Sequence, residues 1–82
     1  MSSRKQNELK FPRWDDKPDG GRIYYLDIRG KKGWFARYIK EADRNEKTIG
    51  FRQEIYNDAG RLAEIHEKFP ENKGHRTIEE QS

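Results

Sequence analysis

Ile55-Tyr56-Asn57-Asp58-Ala59-Gly60-Arg61-Leu62-Ala63 is the stretch on which the fold turns. From its end onward, Leu62, Ile65 and Phe69 are spaced by three and four, so a helix competes for residues 61–69. Asn-Asp-Ala-Gly settles the choice for strand. It is a type I turn with Gly60 at the left-handed bulge position, and it joins two β-compatible runs directly. The same build recurs upstream in Gly30-Lys31-Lys32-Gly33 and in Ala42-Asp43-Arg44-Asn45, where Asn45 is expected to take the positive φ that glycine takes elsewhere.

Three such turns predict strands over 23–29, 34–41, 47–56 and 61–69. Pro70 ends the last one, because it has no N–H to donate. The expected fold is mainly β with little helix: a four-stranded antiparallel meander, as a sheet or a small open barrel. Residues 75–82 are a candidate fifth strand or a frayed tail. Residues 1–22 read as an N-terminal arm, 23–69 as the β domain and 70–82 as a C-terminal loop and tail. Within the arm, 1–10 is polar without apolar periodicity and is expected to be flexible. Phe11-Pro12-Arg13-Trp14 is expected as an extended strap, and residues 15–21 as a loop.

Turn geometry predicts register, and register predicts faces. Bulged three-residue loops set Tyr25 against Ile39 and Asp27 against Arg37, a pair of charges placed to neutralise each other. They also set Ile39 against Ile49, Arg37 against Phe51, Ile55 against Ala63 and Gln53 against Ile65. One face then collects Ile23, Tyr25, Phe35, Ile39, Phe51 and Phe69 among its core residues. The other presents Tyr24, Leu26, Trp34 and Tyr38 beside Arg52, Glu54, Glu64 and His66. A sheet with one apolar face needs a second layer. The strap, curling into a barrel, or a homodimer or protein partner on the apolar face would supply it.

The composition limits what the chain can be. Eighty-two residues make one small domain. Only 30% are hydrophobic and 40% charged, but eight of the ten aromatics fall between 23 and 69, which places the ordered part there. There is no cysteine, so disulfide and thiolate chemistry are excluded. No apolar run approaches a spanning helix and no signal-peptide core follows Met1, so a soluble cytoplasmic protein is expected, without membrane partners. Residues 1–42 carry eleven Lys/Arg against six Asp/Glu, and 43–82 carry seven against nine. The basic first half is compatible with RNA or DNA.

Two groups of side chains suggest chemistry. Arg29, Lys31, Lys32 and Arg37 stand near Trp34 and Tyr38 on the first hairpin, where aromatic rings can stack bases while cations hold phosphates. This favours a non-enzymatic nucleic-acid-binding module. The alternative is Arg52, Glu54, Glu64 and His66, with His75 in a basic loop. In the expected register these have the parts for general acid–base cleavage of a phosphodiester; the plainer reading is a charged strand pair. A third reading is an interaction protein acting through the apolar face. No metal-ligand spacing and no cofactor motif is present, so none is expected.

Residues 51–75, with the hairpin around Asn57–Gly60, the run Leu62-Ala63-Glu64-Ile65-His66-Glu67-Lys68-Phe69-Pro70 and the later Gly74-His75, resemble small archaeal proteins of uncharacterised function. They are loosely similar to the TumE-like toxins of toxin–antitoxin pairs, although only His75 follows the loop here, not a histidine cluster. That resemblance implies nucleic acid as target and a protein partner as regulator.

Overall fold

The computed structural model describes residues 4–71 and 74–78, with only the backbone described at His75 and Arg76. One short helix, α1 (Arg4–Lys10), precedes six strands: β1 (Arg13–Asp16), β2 (Arg22–Arg29), β3 (Phe35–Ala42), β4 (Thr48–Tyr56), β5 (Leu62–Phe69) and β6 (Gly74–Thr77). They lie side by side in chain order as one antiparallel sheet, with β1 and β6 at its edges. The four long central strands are the expected meander, and β6 overlaps the candidate fifth strand at residues 75–77, while 79–82 of that candidate lie outside the described residues. Among the described residues no helix is long and apolar enough to cross a membrane.

The N-terminal region differs from its expectation. Residues 4–10 are helical rather than a flexible arm, and 13–16 pair with β2 as an edge strand, Arg13 opposite Tyr25 and Asp16 opposite Arg22. Seven residues are too few for a helix to hold itself together in water. Polar contacts and one aromatic ring fix α1 to the sheet. Asn7 is buried; its Nδ2 donates to Glu46 Oε2 (2.8 Å), and its Oδ1 accepts from Lys40 Nζ (2.9 Å). Phe11, just past the helix, seats its ring 5.6 Å from that of Tyr24.

Hairpin loops of one pattern join several strands. In Lys17–Gly21, Asp43–Lys47 and Asn57–Arg61 the first residue donates its N–H to the carbonyl of the fifth, and the fourth donates back to the first (2.9–3.0 Å). The fourth residue is left-handed: Gly20 (φ 89), Gly60 (φ 77), and at the middle loop Glu46 (φ 65) rather than Asn45. That loop is Asp43–Lys47, one residue later than expected, because the Asp43 carboxylate accepts from the N–H groups of Asn45 and Lys47 (both 2.9 Å).

The β2–β3 register is the expected one, with Tyr25 opposite Ile39 and Asp27 opposite Arg37. Beyond β3 it is not. β3 pairs with β4 as Ile39 opposite Arg52 and Arg37 opposite Glu54, after a bulge next to Ala42. The Asn57–Arg61 loop closes as expected, but a second bulge beside Tyr56 sets Ile55 opposite Glu64 and Gln53 opposite His66. A third lies between Phe51 and Arg52, so that Phe51 faces Phe69. Each bulge adds one residue to one strand and turns the following side chains over. Phe51, Ile55 and Phe69 therefore share a face with Tyr24, whereas Arg52 and Glu54 lie on the face of Tyr25.

The core follows that exchange. It sits on the Tyr24 face, beneath α1: Phe11, Tyr24 and Ala42 are at most 1% exposed, with Trp14, Leu26, Tyr38 and Phe51 packed around them. The Tyr25 face is covered by its own long side chains. Ile39 is 4% exposed there, Arg13 lies 4.7 Å from the Tyr25 ring centre, and Arg37 caps the stacked rings of Phe35 and Tyr56.

Candidate nucleic-acid interface

Helix α1 covers only one end of the Tyr24 face, the part formed by Arg22, Tyr24 and Ala42. The rest of that face is open and aromatic. Tyr38 from β3 and Phe51 from β4 bring their rings to 6.3 Å between centres at an interplanar angle of 26°. Gln53 Nε2 donates to the Tyr38 hydroxyl (3.1 Å), which fixes the tilt of the ring. Phe69, opposite Phe51, extends the aromatic row to the end of β5 and is 43% exposed.

Lysines stand around this row. The third bulge leaves Lys68 between the pairs Arg52–Glu67 and Phe51–Phe69, without a direct partner across the strands. Its ammonium lies 5.3 Å from the Tyr38 ring centre and 5.8 Å from that of Phe51. Lys10, at the end of α1, stands over Phe11 at 5.8 Å. Lys40 reaches the same groove from β3. Burial and then the nearby Lys10 ammonium hold Lys40 below its ordinary pKa, with Glu46 opposing them. A groove of about 410 Å³ has Lys10, Lys40, Lys68, Phe11, Phe51 and Phe69 in its walls. A smaller hollow of about 180 Å³ continues it past Tyr38 to Leu26 and Ile28.

The expected binding group is brought together only in part. Tyr24 is fully buried, and Tyr38 lies in the groove. Arg37 is on the other face, where Asp27 accepts from its Nε and Nη2 (2.8 and 3.1 Å). Arg29 and Trp34 line a separate hollow of about 530 Å³ with Asp27 and Phe35, and Lys31 and Lys32 are exposed at the hairpin tip. That hollow is larger, but Arg29 is the one cation among its lining residues, beside Asp27, whereas three lysines line the groove.

The expected acid–base group is also divided. Arg52 and Glu54 are on the Tyr25 face, joined at 3.0 Å, and Glu54 accepts from the Tyr56 hydroxyl (2.7 Å). Glu64 and His66 are on the Tyr24 face, because Glu54 pairs with Ile65 rather than Glu64. His75 is the backbone partner of His66, but its side chain lies outside the described residues. Among the described residues no three His, Asp or Glu side chains are grouped to hold a metal. Sequence reasoning missed Lys10, Lys68, Phe51 and Phe69 as groove residues. The aromatic and basic types were legible, but their common face depends on bulges, of which the first carries a local signal in Gly50, next to the extra residue Ile49.

No protein-family model matches the chain, and neither does any curated protein or solved structure.

Proposed function

We propose that this chain is a non-enzymatic module that binds single-stranded nucleic acid across the open part of the Tyr24 face. The observation that carries the reading is the row Tyr38, Phe51 and Phe69 with Lys10, Lys40 and Lys68 in the same groove. Flat rings accept any base, at roughly 1–3 kcal/mol per stacked base. Lysine ammonium groups meet phosphates as point charges. Lys68 already rests on two of the rings, an arrangement worth only about 0.5–1 kcal/mol where exposed. A base can take its place on the rings while Lys68 turns to the phosphate.

Fluorescence anisotropy with labelled single-stranded RNA, single-stranded DNA and duplex DNA, repeated across a salt series, tests the reading. Single strands are expected to bind more tightly than the duplex, and affinity to fall steeply with salt. Lys10→Ala and Lys68→Ala should each reduce the slope of log K against log salt by about 0.7. Phe69→Ala, at an exposed ring, should weaken binding by roughly 5- to 100-fold. Lys31→Ala/Lys32→Ala should leave it nearly unchanged. Binding that is absent or insensitive to salt, or that depends on the hairpin-tip lysines instead of Lys68, overturns the reading.

A further inference from the structure

Strand β1 covers only part of the outer edge of β2. Pairing ends at Arg13 opposite Tyr25, and Pro12 then takes the chain out of the sheet towards Phe11 and α1. Among the described residues no strand pairs with Leu26–Arg29 on that side. The Gly30 N–H donates to the Trp34 carbonyl (2.7 Å), so Leu26, Ile28 and Gly30 direct their backbone groups towards β3. Asp27 and Arg29 therefore direct theirs outward, to the uncovered edge. An uncovered edge is a template for another strand, and charged side chains ordinarily guard against that.

The two charges here have opposite sign and are two residues apart, with Ile28 between them. That spacing is self-complementary when two such strands run antiparallel. We propose that two copies of this chain join edge to edge through β2, antiparallel about a two-fold axis at Ile28, so that Asp27 faces the partner's Arg29 and Arg29 faces the partner's Asp27. Asp27 and the partner's Arg29 exchange both of their backbone hydrogen bonds, and symmetry repeats the pair. Asp27 keeps Arg37, and its side chain is still 42% exposed, which leaves room for a second cation. Ile28, 48% exposed on the Tyr24 face, meets its own copy across the axis. The two sheets become one, and the hollow beside Leu26 and Ile28 continues from one copy to the other. This inference rests on the edge of β2 alone and does not require that the groove bind nucleic acid.

The contact is small beside the roughly 1,200–2,000 Å² of a stable interface, so the dimer forms at about 100 µM rather than at nanomolar concentration. Sedimentation velocity from about 10 µM to 1 mM is expected to show a monomer–dimer equilibrium. Arg29→Glu sets like charges opposite each other and should raise the dissociation constant at least ~10-fold. Arg29→Pro removes the outward N–H without touching the β2–β3 ladder and should act likewise, with circular dichroism to confirm that the fold persists.

The absence of cysteine gives a second, independent measurement. Facing Ile28 residues would have Cα atoms about 4.5 Å apart, within the range of a disulfide. Ile28→Cys should therefore oxidise to a covalent dimer at least ~10-fold faster than Ile49→Cys, a comparably exposed isoleucine away from this edge. A native chain that is monomeric at about 1 mM, an Arg29→Glu variant that dimerises as well as the native chain, or an Ile28→Cys variant that links no faster than Ile49→Cys overturns the proposal. So does a monomer that takes up an extended peptide of another protein along β2.

Discussion

Truncating Phe11 to alanine is expected to destabilise this protein by about 3–5 kcal/mol. The ring is 1% exposed and packs on Tyr24, which is itself fully buried. Besides Phe11 and Tyr24, only Ile39 and Ala42 among the described apolar residues are buried, and Ile39 is on the other face. A domain of this size has roughly 5–15 kcal/mol of stability in total, so the loss is a large share of it and lowers Tm by about 15 °C or more. Helix α1 is expected to leave the sheet in the same variant, because seven residues do not stay helical alone. Leu9→Ala is the control: the residue is on the same helix but 81% exposed, and its truncation should leave Tm nearly unchanged. Thermal melts followed by tryptophan fluorescence, with Trp14 packed beside Tyr24, read both variants. Equal shifts would show that Phe11 is not the anchor of the cap.

The residues that could be read correctly in the sequence were those whose backbone geometry is local. Asn57–Gly60 closes its loop as turn chemistry requires, Gly60 is left-handed, and residues 62–69 are strand although Leu62, Ile65 and Phe69 have helical spacing. The first long hairpin is in its expected register, with Asp27 and Arg37 paired. What failed was the choice of face beyond β3. The Asp43–Lys47 loop is set by the Asp43 carboxylate binding two backbone N–H groups, and its left-handed residue is a glutamate, which no propensity argument selects. Bulges beside Ala42, Tyr56 and Arg52 then changed which side chains share a face. Helix α1 escaped notice for a related reason. Its buried residue is Asn7, so there was no apolar stripe to find, and its partners Lys40 and Glu46 are more than thirty residues away.

The same bulges assemble the candidate site. With the unbulged register, Phe51 and Phe69 would lie beside Tyr25 and the groove would hold Arg52 and Glu54 instead. The bulges put the two phenylalanines with Tyr38 and leave Lys68 over the rings. Register here decides the make-up of the candidate site as well as the packing: one extra residue in a strand separates a charged surface from an aromatic one.

Glu46→Gly is the second substitution with a large expected effect, and two influences of opposite sign meet in it. Glycine relieves the left-handed backbone at φ 65, which costs a side-chain-bearing residue about 1–2 kcal/mol. It also removes a carboxylate, 10% exposed, that accepts from the Tyr24 hydroxyl, from Asn7 Nδ2 and from Arg4 Nε. Each hydrogen bond to a charged group is worth roughly 1.5–3 kcal/mol, so three of them outweigh the strain, and a net loss of about 2 kcal/mol or more is expected. Burial pushes the Glu46 carboxyl up, and the three donors more than offset it, leaving it below the ordinary glutamate range. A carboxyl held low in the fold stabilises fully above its unfolded value, near ~4.3, and that contribution disappears as pH falls through the lower folded value. Asp19, held low first by the Gly21 N–H, and Asp27, held low first by Arg37, act in the same direction. Stability should therefore fall on acidification from roughly pH 5 to pH 3, and less steeply in Glu46→Gly than in the native chain. Urea melts at about pH 7, 5, 4 and 3 measure both effects. A variant as stable as the native chain at neutral pH would mean that the left-handed turn, and not the carboxylate, governs how α1 is held; an acid limb of unchanged slope would remove Glu46 from the groups that titrate on unfolding.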